Sequence, residues 1–215
     1  MKPRNSMRAL LGLFSALALM LTAAPAWAAV DAGRVTFAFG EATITSADGA
    51  ERAARRGVKV YSGDTIATGD GRVQVRFTDG GFVSLVPETT FKIDEYRFEQ
   101  EAATEDKGLF SLVKGGLRAL TGLVGKRERS AYELRTVVAT IGIRGTLFRT
   151  SFDPDTMRQV VSVGFDPLDP TGGINFTSGG VTLPVNPGGN AVVEGTGAPP
   201  RPTTEQADLA AVQPN

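Results

Sequence analysis

Val73-Gln74-Val75-Arg76-Phe77-Thr78-Asp79-Gly80 alternates apolar and polar residues over its first five positions and then reaches an Asp-Gly pair. Successive side chains of a strand point to opposite faces, so this spacing puts Val73, Val75 and Phe77 on a buried side and Gln74 and Arg76 in water. Asp-Gly tolerates the positive backbone angles of a tight hairpin turn. The stretch therefore reads as a half-buried strand running into a turn.

The same pattern recurs in both directions along the chain. Val35, Phe37 and Phe39 alternate with Thr36 and Ala38, and Phe91 with Ile93, Tyr132 with Leu134, Ile174 with Phe176, and Val181, Leu183 and Val185 repeat the spacing. Asp48-Gly49 and Asp70-Gly71 supply further turn pairs. An all-β chain is predicted, with about ten to twelve short strands in a β-sandwich or a roll/solenoid-like arrangement. One segment resists: Leu109, Leu112, Val113, Leu117, Leu120 and Val124 fall on a helical stripe, yet Gly108, Gly115, Gly116 and Gly122 interrupt it, each costing about 1 kcal/mol inside a helix. A strand is expected over Leu109 to Val113, and at most a short helix near 117–124. The acidic run Glu99 to Asp106 reads as an exposed loop.

The ends differ from the middle. Lys2, Arg4 and Arg8 precede an apolar run from Ala9 to Ala24, shorter than the roughly 20 residues of a comfortable membrane span, and Ala26-Trp27-Ala28 offers small residues for a signal peptidase. Residues 1–28 are expected to be a signal peptide cleaved after Ala28, which places the product in the periplasm or outside the cell. Cleavage removes three of the 23 basic residues and leaves 20 against 23 acidic ones, a mildly acidic chain. After Val193, Gly195-Thr196-Gly197-Ala198-Pro199-Pro200-Arg201-Pro202 propagates neither regular structure, so residues 195–215 are expected to be a flexible tail.

The 215 residues include no His and no Cys. That excludes a Ser-His-Asp triad, a thiol nucleophile and a zinc site of the usual ligand set, and leaves only oxygen ligands for any metal. A balanced charge argues against a nucleic-acid partner, which needs a basic surplus to neutralise phosphates. Ser111-Leu112-Val113-Lys114 has S-x-x-K spacing but lacks the companion S-D-N and K-T-G elements. Gly122-Leu123-Val124-Gly125-Lys126 lacks the first Gly and the final Ser or Thr of a phosphate loop. Asp64, Asp70 and Asp79 lack calcium-loop spacing. Asp94 and Glu95, adjacent on a strand, are expected on opposite faces and make a poor acid pair. No catalytic, cofactor or metal site is expected.

The densest local feature is Ala139-Thr140-Ile141-Gly142-Ile143-Arg144-Gly145-Thr146-Leu147-Phe148, where a guanidinium interrupts an apolar strand. A charge buried there must be paired. Arg144 is expected to be a structural ion-pair residue, with Asp64 or Asp79 as its partner.

Five segments in order resemble the FecR domain: Gly57 to Gly69, Val75 to Gly81, Pro87 to Ile93, Lys114 to Gly122 and Thr136 to Thr146. The resemblance is best over Val35 to Thr150 and looser over 158–193, giving a domain at 29–194. It implies an all-β extracytoplasmic module that works in signalling and protein interaction and not in catalysis. The family's founding type is a transmembrane sigma-factor regulator, and here only Met1 to Arg8 could lie in the cytoplasm, so the domain carries over and the sigma-regulating output does not. The expected function is an exported non-enzymatic binding module that recognises an envelope protein or polymer without cofactor, its loops Glu99 to Lys107 and Asp166 to Gly173 free to carry specificity. The alternative is a sensor tethered by an uncleaved N-terminus and acting through a separate membrane partner.

Overall fold

The computed structural model describes residues 30–101, 105–143, 145, 147–166 and 169–207. The expected signal peptide, Arg144, part of the Asp166 to Gly173 loop and the last eight residues of the expected tail lie outside the described residues. No helix among the described residues is long and apolar enough to cross a membrane.

The chain is all-β. In order the strands are β1 (Asp31–Phe39), β2 (Ala42–Thr45), β3 (Glu51–Ala53), β4 (Lys59–Tyr61), β5 (Thr65–Thr68) and β6 (Arg72–Phe77). Then follow β7 (Phe82–Leu85), β8 (Thr89–Arg97), β9 (Lys107–Leu120), β10 (Tyr132–Arg135), β11 (Thr140–Ile143) and β12 (Leu147–Asp153). The last are β13 (Arg158–Val163), β14 (Ile174–Ser178), β15 (Val181–Val185), β16 (Asn190–Glu194) and β17 (Arg201–Pro202). The seventeen strands among the described residues outnumber the ten to twelve expected in part because β3, β4 and β17 have only two or three residues, too few to show alternation.

Hydrogen-bonded registers arrange these strands in two sheets that share β9. The first runs β4-β1-β6-β7-β9-β12-β13-β16-β17, every pair antiparallel. The second runs β3-β2-β5-β8-β9-β10-β11-β14-β15, antiparallel except for β9 with β10. The chain thus forms two layers and advances along both in step, making hairpins within each sheet and passing between the sheets through the connections that join one hairpin or strand to the next. One contiguous apolar core lies between the layers. Phe77 of the first sheet lies with its ring centroid 5.3 Å from those of both Tyr96 and Phe110 of the second.

The helical-looking stripe has its origin in β9. Residues 107–114 pair with β8 and residues 108–111 with β10, whereas 115–120 pair with β12 and 117–120 with β7. The strand changes sheet at Gly115, whose φ is +88° and whose added Cβ would lie 2.6 Å from Thr89 Cα. Inward residues are even-numbered before this point (Phe110, Leu112) and odd-numbered after it (Leu117, Ala119). A one-residue slip in a period of two mimics helical spacing. The helix itself, α1, occupies Leu123–Arg127, followed by a single 3₁₀ turn at Arg129–Ala131.

Two other expectations change. Asp70-Gly71 is no hairpin, since β5 and β6 lie in different sheets and the Asp70 carboxylate accepts the Glu41 N–H at 3.0 Å. Residues 195–207 are held against the first sheet. β17 pairs with β16, Ala207 covers the outward-facing Val160 and Val192, and its N–H donates to Ser162 Oγ at 2.8 Å. Composition suggested flexibility, but an open edge strand and two uncovered valines attract a polypeptide cover.

The phenol of Tyr132 is buried, which raises its pKa, with a further contribution from the Asp79 carboxylate; Tyr96 is raised by the same causes in the same order. A raised folded-state pKa means stability is whole below the unfolded phenol's value of about 10 and is lost as pH climbs toward the folded value. Urea stability is expected to hold to about pH 9 and fall beyond about pH 10, and Tyr132→Phe to lessen that fall. A flat profile to about pH 11 would contradict it.

Candidate functional site

Of the ion-pair residues expected from the sequence, Asp64 and Asp79 lie among the described residues and Arg144 outside them, and the two carboxylates have different partners. Asp64, 1% exposed, pairs with the Arg52 guanidinium and accepts the Tyr61 N–H at 2.8 Å. Arg52 also donates to Ser46 Oγ at 2.5 Å and to the Lys59 carbonyl at 3.2 Å. Asp79, 6% exposed, makes no ion pair among the described residues. Its carboxylate accepts the Gly81 N–H at 2.9 Å, closing the β6–β7 turn, and the Val124 N–H at 3.1 Å, capping α1 from outside the helix. Arg52 escaped the sequence reading because it lies on a three-residue strand without periodicity.

Ser111 and Lys114 are kept apart by separate partners: Ser111 Oγ donates to Asp94 at 2.5 Å and Lys114 pairs with Glu88 at 3.3 Å. Asp94 and Glu95 are not on opposite faces as expected. A register shift between Ile93 and Glu95 leaves both half-buried at the outer surface, where Lys92 holds Asp94 at 3.1 Å and Lys107 holds Glu95 at 2.8 Å. Each carboxylate is neutralised by its own lysine, which suits neither acid nor base work. Among the described residues no cluster of three or more acidic side chains is placed to hold a metal ion. The two described ends of the Glu99 to Asp106 stretch, expected to lack any anchor, are tied together by charge: buried Asp106 accepts the Glu99 N–H at 2.9 Å and pairs with Arg127, which donates to the Glu99 and Gln100 carbonyls at 3.1 Å.

The outer faces of the two sheets carry opposite electrostatic plans. On the second sheet cations meet acids: Lys92 with Asp94, Lys107 with Glu95, Arg97 with Glu105 and Arg135 with Glu133. On the first sheet pairing is confined to the two ends, Lys59 with Asp31 at one and Arg158 with Glu194 and Glu205 at the other. Between them, one registered row crosses five strands: Phe37 opposite Gln74, Gln74 opposite Ser84, Ser84 opposite Arg118, and Arg118 opposite Arg149. The flanking positions add Arg72 opposite Phe39, and Arg76 opposite Phe82. Among the described residues Arg72, Arg76, Arg118 and Arg149 have no acidic partner.

This row borders a groove of about 240 Å³ lined by Phe37, Arg72, Gln74, Phe82, Ser84 and Arg118. Phe37 is 51% and Phe39 70% exposed, large apolar surfaces left in water beside it. The Nε of Arg118 is buried without a hydrogen-bond partner, and burial, then the facing Arg149, push the Arg118 pKa down. Like charges directly opposite across a ladder destabilise it, and a buried donor without an acceptor costs more still. The fold tolerates at this point a local cost that an anionic ligand would remove. Arg118→Gln is therefore expected to raise the melting temperature by about 2–4 °C, corresponding to about 1 kcal/mol, as read by thermal denaturation. A lower melting temperature would show Arg118 to be a structural residue.

Sequence reading missed this row because its arginines are scattered over 78 positions, from Arg72 to Arg149. The available signal was that Arg76 and Arg118 sit at polar steps of alternating segments with no acid two residues away.

The FecR protein family matches residues 64–164. No curated protein matches the chain. Two crystal structures of a candidate anti-sigma factor from Parabacteroides distasonis ATCC 8503 are each 18% identical, cover 66% of this chain and 60% of that one, and superpose with a TM-score of 0.49. The chain thus spans about three fifths of that protein's length. A cell surface anchoring domain is 31% identical over 28% of this chain and 80% of its own, with a TM-score of 0.27. The matched residues 64–164 run from the turn before β5 to the end of β13 and contain Arg72, Arg76, Arg118 and Arg149, so the likeness to the FecR protein family covers the part of the chain that carries the arginine row.

Proposed function

We propose that this protein is an exported, non-enzymatic binding module that recognises an envelope protein or polymer through the outer face of its first sheet. A FecR domain is a regulatory and interaction module that works through partners. The observation that carries the reading is the row of Arg72, Arg76, Arg118 and Arg149, unpaired on one face while the cations of the opposite face are neutralised. Arginine is suited to bidentate recognition of anionic groups, and a rigid ladder holds these side chains in place before any partner arrives. Exposed Phe37 and Phe39 add apolar contact beside the charge.

Binding to envelope extract tests the reading. The purified protein is expected to retain a saturable partner that an Arg118→Gln/Arg149→Gln variant releases at lower salt. Equal retention by the variant would remove the face from the proposal, and no saturable partner would remove the module. Export has its own test: the protein isolated from the envelope is expected to begin at Ala29, whereas Met1 would replace this reading with a tethered sensor.

A further inference from the structure

We infer that the occupant of this face is an anionic polysaccharide laid across the strands of the first sheet. The inference rests on the reading of the face as the binding surface and adds the chemistry of what it holds. Five side chains register in one line, Phe37, Gln74, Ser84, Arg118 and Arg149, each step about one strand spacing of 4.8 Å. The line is therefore about 19 Å long and perpendicular to the strands. Along it an aromatic platform gives way to an amide, a hydroxyl and two guanidiniums. Gln74 Nε2 already donates to Ser84 Oγ at 3.2 Å, which fixes both side chains over the groove.

This order suits a chain of sugar rings better than a peptide. An extended peptide gains its affinity by adding a strand at a sheet edge. The edges of this sheet are β4, β17 and the end of β1 beyond Val35 that β4 does not reach, so only Phe37 stands at an edge, whereas the rest of the line lies on β6, β7, β9 and β12, strands paired with neighbours on both sides. A polysaccharide needs no main-chain partner. Its ring faces pack on an exposed aromatic side chain, its hydroxyls exchange hydrogen bonds with the amide and the serine, and its acidic groups accept from guanidinium forks. Arg72 and Arg76 flank the line and extend the positive field to either side of it.

The test measures binding of the purified protein to alginate, a uronic-acid polymer, with dextran as the neutral polymer and polyglutamate as the acidic polypeptide. Alginate is expected to bind saturably and dextran not at all. Arg118→Gln/Arg149→Gln is expected to weaken alginate about ten-fold or more, and Phe37→Ala several-fold, with both variants melting no lower than the parent. No alginate binding, or binding that neither set of substitutions weakens, would overturn the inference. So would polyglutamate binding equal to or tighter than alginate with the same arginine dependence, which would assign the face to an acidic polypeptide. If the arginine variant loses the envelope partner while alginate never binds, the polysaccharide is overturned and the binding face stands. Loss of neither overturns both.

Discussion

Asp79→Ala is expected to lower the melting temperature by about 6–12 °C, the result of losing about 3 kcal/mol in a domain of this size. The carboxylate is 6% exposed and serves two backbone donors from distant parts of the chain, Gly81 in its own turn and Val124 at the start of α1. Alanine leaves both N–H groups buried without an acceptor, at about 1–3 kcal/mol each. The site cannot relax by letting α1 approach. Gly122 already lies so close that a Cβ there would sit 2.3 Å from the Asp79 carboxyl carbon, and the Asp79 main chain is engaged on both sides, its carbonyl accepting the Leu123 N–H and its N–H donating to the Tyr96 hydroxyl, each at 3.0 Å. Asp79→Asn keeps one acceptor oxygen and is expected to lose about half as much. Thermal melts of the two variants decide it; alanine within about 2 °C of the parent would show that the turn and the helix start hold without the cap.

Asp64→Ala is expected to cost about 3–5 kcal/mol, because it strands the Arg52 guanidinium in a half-buried position and removes the acceptor of the Tyr61 N–H. Arg52→Met costs somewhat less: it leaves a carboxylate that is 1% exposed with one backbone donor, although Arg52 itself retains contact with water. Replacing both with apolar residues is expected to recover much of either loss, since no unpaired charge then remains inside. A double-mutant cycle by urea denaturation measures this as a coupling of about 1.5 kcal/mol or more. Losses that simply add would mean the two side chains act independently and the pair contributes nothing of its own.

Arg144 lies outside the described residues; of the two carboxylates named beside it, Asp64 takes Arg52, twelve positions before it, and Asp79 takes backbone donors. Alternation reveals that a turn carboxylate lies near a strand end. It does not reveal which cation the other layer brings over it. The same limit explains β9, whose Gly115-Gly116 pair was legible as an interruption of a helix but not as the passage from one sheet to the other. It explains the chain end too, since Gly195 to Pro202 reads as disordered by composition and is held by the open edge of β16.

The all-β class, the Asp48-Gly49 and Asp79-Gly80 turns and the inward residues of most longer strands followed from the sequence alone, because a period of two and a positive-φ turn are properties of neighbouring residues. The FecR resemblance was likewise written in consecutive motifs. Tertiary structure alone decided which outward positions stand side by side. The polar side of a strand reads the same whether its neighbours carry carboxylates, as around Lys92 and Lys107, or guanidiniums, as at Arg118 and Arg149. Cross-strand register joins residues dozens of positions apart, and the unpaired positive face exists only once that register is formed.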